Sequence, residues 1–366
     1  MSWTSRLFAI PWIMVGGIFI LVIIGTMASY SASDGAWTAS VKQHLIRSAL
    51  GFLLAFFIAF LPINFLFRSS FIIWLGFVGI LLALPLIGVG AGATRWINLG
   101  FMHFQPSEPT KIAVVLLLAR YLSLRTFDQI DKFFIYIPAI LIAAIPSALV
   151  LMQPDLGTGL MIFVAGLAVI FVSGLPKRYV IIGISAVAAC IPIIWSQLYD
   201  YQKARLLTFL NPEKDILGAG WQITQSKIAL GSGGLFGKGF LQGSQSQLDY
   251  LPEKQTDFVF TLIGEEFGFI GNSAIIFIYF LIIISITGIG LRAKNRFSSL
   301  VASGLAMVIF LYVFVNIAMV TGVLPVVGAP LPLLSYGGTA LLTVFIILGI
   351  SMNLSQNSQR EDLEIS

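Results

Sequence analysis

Polar and apolar positions do not alternate along this chain. The charged residues gather in short clusters, and long apolar runs separate them. From Leu7 to Ser33 there is no charge at all. A helix needs about 20 predominantly apolar residues to cross a hydrocarbon core of about 30 Å. Ten stretches are read as spans on that pattern: 7–27, 45–67, 71–90, 109–124, 133–152, 156–174, 179–198, 267–291, 299–321 and 336–354. The first run is longer than the roughly 7–15 residues of a signal-peptide core and reads as an uncleaved span. The fourth is the most polar at its start, where Glu108 and Lys111 sit. The pattern predicts an all-α integral membrane protein of about ten transmembrane helices, a single polytopic domain over 1–366. No internal repeat of the transporter kind is visible.

Composition narrows the class. Hydrophobic residues make up 58% of the chain and charged ones only 10%, against about 25% charged in soluble domains. That excludes a soluble enzyme, a disordered chain, a nucleic-acid-binding module and a disulfide scaffold. Cys190 has no second cysteine to pair with, and His44 and His103 are the only histidines, so a zinc site is not supported. The net charge of +5 reports topology. With the N-terminus inside, eleven Lys and Arg residues fall on the cytoplasmic side and four (Lys42, Arg47, Arg95, Lys111) in the opposite short loops. Lysine and arginine favour the inside, so both termini are expected in the cytoplasm.

Residues 199–266 break the apolar pattern and carry eight of the sixteen acidic residues. Trp221, Phe236, Phe240, Tyr250, Phe258 and Phe260 favour burial, so this long loop is expected to be structured and to hold the chemistry. Ala219–Leu230 could form a helix lying along the membrane surface through Trp221, Thr224 and Ile228. Six glycines crowd into residues 231–243. They suit either a phosphate cradle or a sharply turning segment, the latter favoured, since Lys238 is followed by Gly239 and no P-loop is present. Asp257 suits either a general base beside apolar surface or a helix cap, a capping role that Thr256 could also fill. Glu265 and Glu266 suit the start of the next span. Glu108 and Lys111, three apart, share a helix face and form an outer polar cluster with Arg95 and His103. Asp155 reads as a turn or cap residue. Lys203 and Arg205 are candidate phosphate ligands. Pro325, Pro330 and Pro332 precede Ser335-Tyr336-Gly337-Gly338, either as a covered bend at membrane depth or as a tight turn.

Together these strings resemble the SEDS family (shape, elongation, division, sporulation). The carriers are Gly92-Ala93-Thr94-Arg95-Trp96, Gln105-Pro106-Ser107-Glu108 with Lys111, and Gln153-Pro154-Asp155-Leu156-Gly157-Thr158. They continue with Tyr201-Gln202-Lys203-Ala204-Arg205, Gln225-Ser226-Lys227, Gly231–Gly239, Leu251-Pro252-Glu253, Thr256-Asp257-Phe258, Gly264–Gly268 and Pro332–Gly338. Gly243–Asp249 lacks the lysine usual in the division branch, which resembles the rod-type branch. Gln255 stands where many members have histidine, and Pro109 follows Glu108.

The resemblance implies a SEDS-type fold with the long extracytoplasmic loop between the seventh and eighth spans. It implies a peptidoglycan glycosyltransferase of the bacterial cytoplasmic (inner) membrane, polymerising lipid II on the outer face. Asp257 would be the essential acid, and Glu108, Lys111, Arg205, Lys203 and Arg95 would bind substrate. A divalent cation, Mg or Mn, could share in neutralising the pyrophosphate, and no cofactor is otherwise implied. The implied partners are a class B penicillin-binding protein, other elongation-complex proteins and membrane lipid. The alternatives are the division paralogue with the same chemistry, a flippase for lipid-linked precursor, and a noncatalytic scaffold.

Overall fold

The computed structural model describes residues 10–89, 94–100, 102–197, 200–211, 218–244 and 255–363. The described residues are mostly helical: α1 (Trp12–Ser31), α2 (Ala39–Ala59), α3 (Ile63–Ile87), α4 (Ser107–Ser123), α5 (Phe127–Ile130), α6 (Tyr136–Met152), α7 (Leu156–Val172), α8 (Lys177–Gln197), α9 (Asp200–Leu210), α10 (Ala219–Ser232), α11 (Val259–Arg292), α12 (Arg296–Val320) and α13 (Gly338–Leu363). A two-residue antiparallel pair, β1 (Ile97–Asn98) with β2 (His103–Phe104), is the only sheet among the described residues. Among the described residues each of the ten apolar stretches is mainly helical. Seven of them, α1, α2, α3, α6 with the turn before it, α11, α12 and α13, are long and apolar enough to cross a membrane. The shorter α4 and α7, with α8, occupy the other three.

The first three boundaries differ from expectation. The turn between α2 and α3 falls at Phe60–Pro62, not at 68–70. Pro62 is the cap of α3, with φ of −66°. Proline has no N–H to donate, so it ends the ladder of one helix and starts the next at no cost. Lys42 and Arg47, counted as loop residues, are therefore inside α2, and Arg68 is inside α3.

The bundle is organised around α4. Fourteen of its seventeen residues are buried, including Ser107, Glu108, Thr110 and Lys111. It packs against α3, α6, α7, α12 and α13. A helix shielded from lipid on all sides can carry ionisable groups that a lipid-facing span cannot, which is why the least apolar span is the central one. Without water to drive helices together, close approach depends on small residues. Gly166 of α7 faces Val114 and Leu118 of α4, and Gly304 of α12 faces Val115 and Val169.

The end of the bundle away from the chain termini holds the polar apparatus. Residues 321–337 are irregular there, yet Ala329, Leu331, Leu333, Leu334 and Ser335 are buried. A methyl on Gly25 of α1 would lie 2.8 Å from the Leu334 Cα, and Tyr279 of α11 donates to the Pro332 carbonyl. The proline-rich segment is thus a covered bend inside protein, the condition for irregular backbone at membrane depth.

Candidate active site

Asp257 lies just before α11 and is half-buried. Its position comes from three consecutive backbone carbonyls, each held from outside the segment. The Tyr336 amide donates to Gln255 O at 2.8 Å. Ser335 Oγ donates to Thr256 O at 2.5 Å, and Asn316 Nδ2 donates to Asp257 O at 2.9 Å. Asn316 Nδ2 also donates to Ala329 O at 2.7 Å, so one buried amide ties α12, the bend and the Asp257 segment together. The carboxylate stands beside Gly328: a methyl there would come to 3.4 Å from Asp257 Oδ2. The cap position expected for Asp257 or Thr256 falls one residue later, at Phe258, which has no side-chain cap bond.

Glu108 and Lys111 pair as their spacing predicts, with Nζ 2.7 Å from Glu108 Oε1 and the two side chains 4% and 1% exposed. Lys111 Nζ also donates to the Tyr312 hydroxyl at 2.8 Å and stands 4.0 Å from the centre of that ring. The Tyr312 hydroxyl donates in turn to Glu108 Oε2. This is a closed triad of acid, base and phenol. Tyr312 and Asn316 are four apart on α12, neighbours on one helix face about 5–6 Å apart at Cβ. One face of α12 therefore holds both the triad and the Asp257 segment.

Arg95 directs Nε to Gln153 O at 2.8 Å and Nη2 to Pro154 O, bracing the turn into α7. Asp155 caps α7 through the Thr158 amide at 3.1 Å and accepts from Gln105 Nε2 at 3.1 Å, the role its sequence context predicts. His103 is exposed on the hairpin. Lys203 and Arg205 sit on α9, half-buried and exposed respectively, and α9 packs against α10. Neither makes an ion pair among the described residues. The structure brings Asp257, Glu108 and Lys111 to one helix face and leaves the α9 cations on a separate element.

The glycine-rich stretch braces backbone. Gly234, Gly237 and Gly239 have φ of 57°, 80° and 109°, so the sharply turning alternative holds. A methyl on Gly268, the non-helical break in α11, would meet Leu235 O at 2.6 Å. The amides of Lys238 and Gly239 donate to the carbonyls of Glu265 and Glu266 at 3.0 and 2.9 Å. These N–H groups are therefore engaged by protein. Lys238 Nζ pairs with buried Glu265 at 2.7 Å, and Ser31 of α1 donates to Glu266. The predicted loop end at 266 falls two residues before this break, but helix begins seven residues earlier, at Val259. On α10 the buried side is Ile223, Ser226 and Ala229, while Thr224 and Ile228 face outward.

Four contributors were missed by reading the sequence. Tyr312 and Asn316 are polar residues inside an apolar run, a signal available but overlooked. Arg47 was counted only for topology. Its guanidinium donates to Gln43 Oε1 at 3.0 Å and stacks 5.3 Å from the centre of the Tyr336 ring. The Tyr336 hydroxyl donates to the same Gln43 oxygen, so Gln43 joins this group beside the Asp257 clamp.

The profile of the cell cycle protein family FtsW/RodA/SpoVE matches residues 4–360. The chain belongs to this family. Peptidoglycan glycosyltransferase MrdB of Escherichia coli strain K12 is 41% identical over 346 residues, 92% of this chain and 91% of its own. A solved structure described as showing structural coordination of polymerization and crosslinking by a peptidoglycan synthase complex has a TM-score of 0.82 at 29% identity, covering 95% of this chain and 98% of that one. The rod shape determining protein RodA of Thermus thermophilus has a TM-score of 0.71 at 27% identity, covering 94% and 96%. In this FtsW/RodA/SpoVE member Ser335 and Tyr336 hold the carbonyls of Thr256 and Gln255, and Gly231–Gly239 lies backbone to backbone against Gly264–Gly268.

Proposed function

We propose that the protein is a peptidoglycan glycosyltransferase, polymerising lipid II on the outer face of the bacterial cytoplasmic membrane during rod-type elongation, with both termini cytoplasmic. The observation that carries this is the clamp on Asp257. Three fixed carbonyls hold one half-buried carboxylate at the distal end of a membrane bundle, on the α12 face that also holds Glu108 and Lys111.

On this reading Asp257 accepts the proton of the acceptor sugar hydroxyl. The freed oxygen attacks the donor's anomeric carbon, the bond to the lipid pyrophosphate breaks, and configuration inverts. Lys111, Arg205, Lys203 and Arg95 are the cations proposed to meet the pyrophosphate. Lys111 acts with Glu108 already paired to it, so the pair presents little net charge until substrate arrives. Among the described residues no three His, Cys, Asp or Glu cluster as a metal cage. A magnesium or manganese ion carried on the substrate phosphates would supply further charge neutralisation, leaving Asp257 free to act as the base. The partner is proposed to be a class B penicillin-binding protein that crosslinks the product, with other elongation-complex proteins.

The test is polymer formation from lipid II by the purified protein with such a partner, comparing wild type with Asp257→Asn. Polymer from wild type and none from a folded, partner-binding variant is the expected result. Equal polymer from both overturns the assignment of Asp257. No polymer from folded wild type with its partner overturns the enzyme reading in favour of a flippase or scaffold.

A further inference from the structure

At the opposite end of the bundle from Asp257, α6, α7 and α8 border a half-open apolar cavity of about 590 Å³. That lies within the roughly 300–1,000 Å³ of small-molecule sites. Phe133, Tyr136, Phe163, Phe171, Tyr179 and Val187 are among its walls. One feature distinguishes it from an ordinary lipid-facing groove, the charge at its rim. Exposed Lys132 immediately precedes Phe133, and exposed Lys177 and Arg178 precede Tyr179. Arg178 Nη2 donates to the Asp131 carbonyl at 2.9 Å and retains further N–H donors. Asp128 and Asp131 are the nearby acids, outnumbered by these three cations.

We infer that this cavity is a binding site for an anionic glycerophospholipid of the leaflet on the side of the chain termini. One acyl chain fills the cavity and the phosphate lies against Lys132, Lys177 and Arg178. The site is separate from the proposed polymerase centre. Cationic pockets between transmembrane helices on the cytoplasmic side are suited to such headgroups. Bound lipid would also support α8, whose Ile181, Ile184 and Val187 are 65%, 66% and 62% exposed.

The test is native mass spectrometry of the full chain in neutral detergent, titrated with phosphatidylglycerol and with phosphatidylcholine of identical acyl chains. Wild type should bind phosphatidylglycerol at least about tenfold more tightly, as loss or gain of several ionic contacts at a membrane surface implies. The Lys132→Ala/Lys177→Ala/Arg178→Ala variant should lose that preference and keep weak binding of both lipids. Gly183 lines the cavity, and a Cβ there meets nothing within 4 Å, so Gly183→Phe should fill the space and lower binding of both. Equal affinity for the two lipids in wild type overturns the inference. So does unchanged binding in both variants, or absence of bound phospholipid because α8 closes over the space.

Discussion

The triad of Glu108, Lys111 and Tyr312 permits a quantitative prediction, because each of its contacts can be removed separately. Replacing one partner of a buried ion pair costs about 3–5 kcal/mol, since the other charge is left buried and uncompensated. The geometry orders the variants within that range. In Glu108→Gln, Lys111 keeps the Tyr312 hydroxyl at 2.8 Å and the ring face at 4.0 Å, and a desolvated cation over a ring is worth up to about 2 kcal/mol. The loss should fall near the bottom of the range, about 3 kcal/mol. In Lys111→Met, the Glu108 carboxylate keeps Tyr312 as its hydroxyl donor and loses its counter-charge, so the loss should approach about 5 kcal/mol. In the double variant no charge remains, and two volume-matched side chains fill the space. Its cost should be below that of either single change. The assay is equilibrium unfolding in mixed micelles by titration with dodecyl sulfate, for wild type, both single variants and the double. Additive single costs, or two single variants within about 0.5 kcal/mol of wild type, the usual span for an exposed residue, would refute the reasoning. A stable but inactive double variant would separate the pair's service to substrate from its service to the fold.

Other substitutions test the architecture around Asp257. Gly268 has φ of 68° and ψ of −163°, a region open essentially to glycine alone. Gly268→Ala should cost at least about 1–3 kcal/mol and lower the midpoint of thermal unfolding in detergent. Gly231→Ala is the control: its Cβ would meet nothing within 4 Å, and alanine in a helix is favoured by about 0.5–1 kcal/mol. Asn316→Leu removes the donor shared by Asp257 O and Ala329 O. It should cost about 1–3 kcal/mol for each orphaned carbonyl and reduce polymerisation more than Gly268→Ala does at equal stability. Equal losses of activity at equal stability would show that Asn316 is not positioning Asp257.

Hydropathy located the long apolar helices because lipid imposes a local rule. A backbone in hydrocarbon must satisfy its own hydrogen bonds, so a run of about 20 apolar residues is a helix whatever surrounds it. The same rule made α4 legible in spite of Glu108 and Lys111, whose spacing alone predicted their pairing. The Asp155 cap and the turning glycines were legible for similar reasons, since their geometry is decided within a few residues. Asp257 was legible as a candidate, and the role proposed for it comes from the resemblance of the surrounding strings.

What brings Asp257 to the triad is not local. Asn316 and Tyr312 are separated from Asp257 and Glu108 by 59 and 204 positions, and only the packing of α12 against α4 makes them neighbours. Arg47 entered as a topological charge, and Tyr336 as part of a turn. Their stacking required α2 and the bend at 321–337 to meet in space. The glycines of 231–243 were ambiguous between phosphate and backbone, because a small residue records only that something must come close. Tertiary structure supplied that something, the α11 backbone at Gly264–Gly268. Local free energy sets which segments are helices, whereas the partner of a buried polar group is a property of three-dimensional proximity.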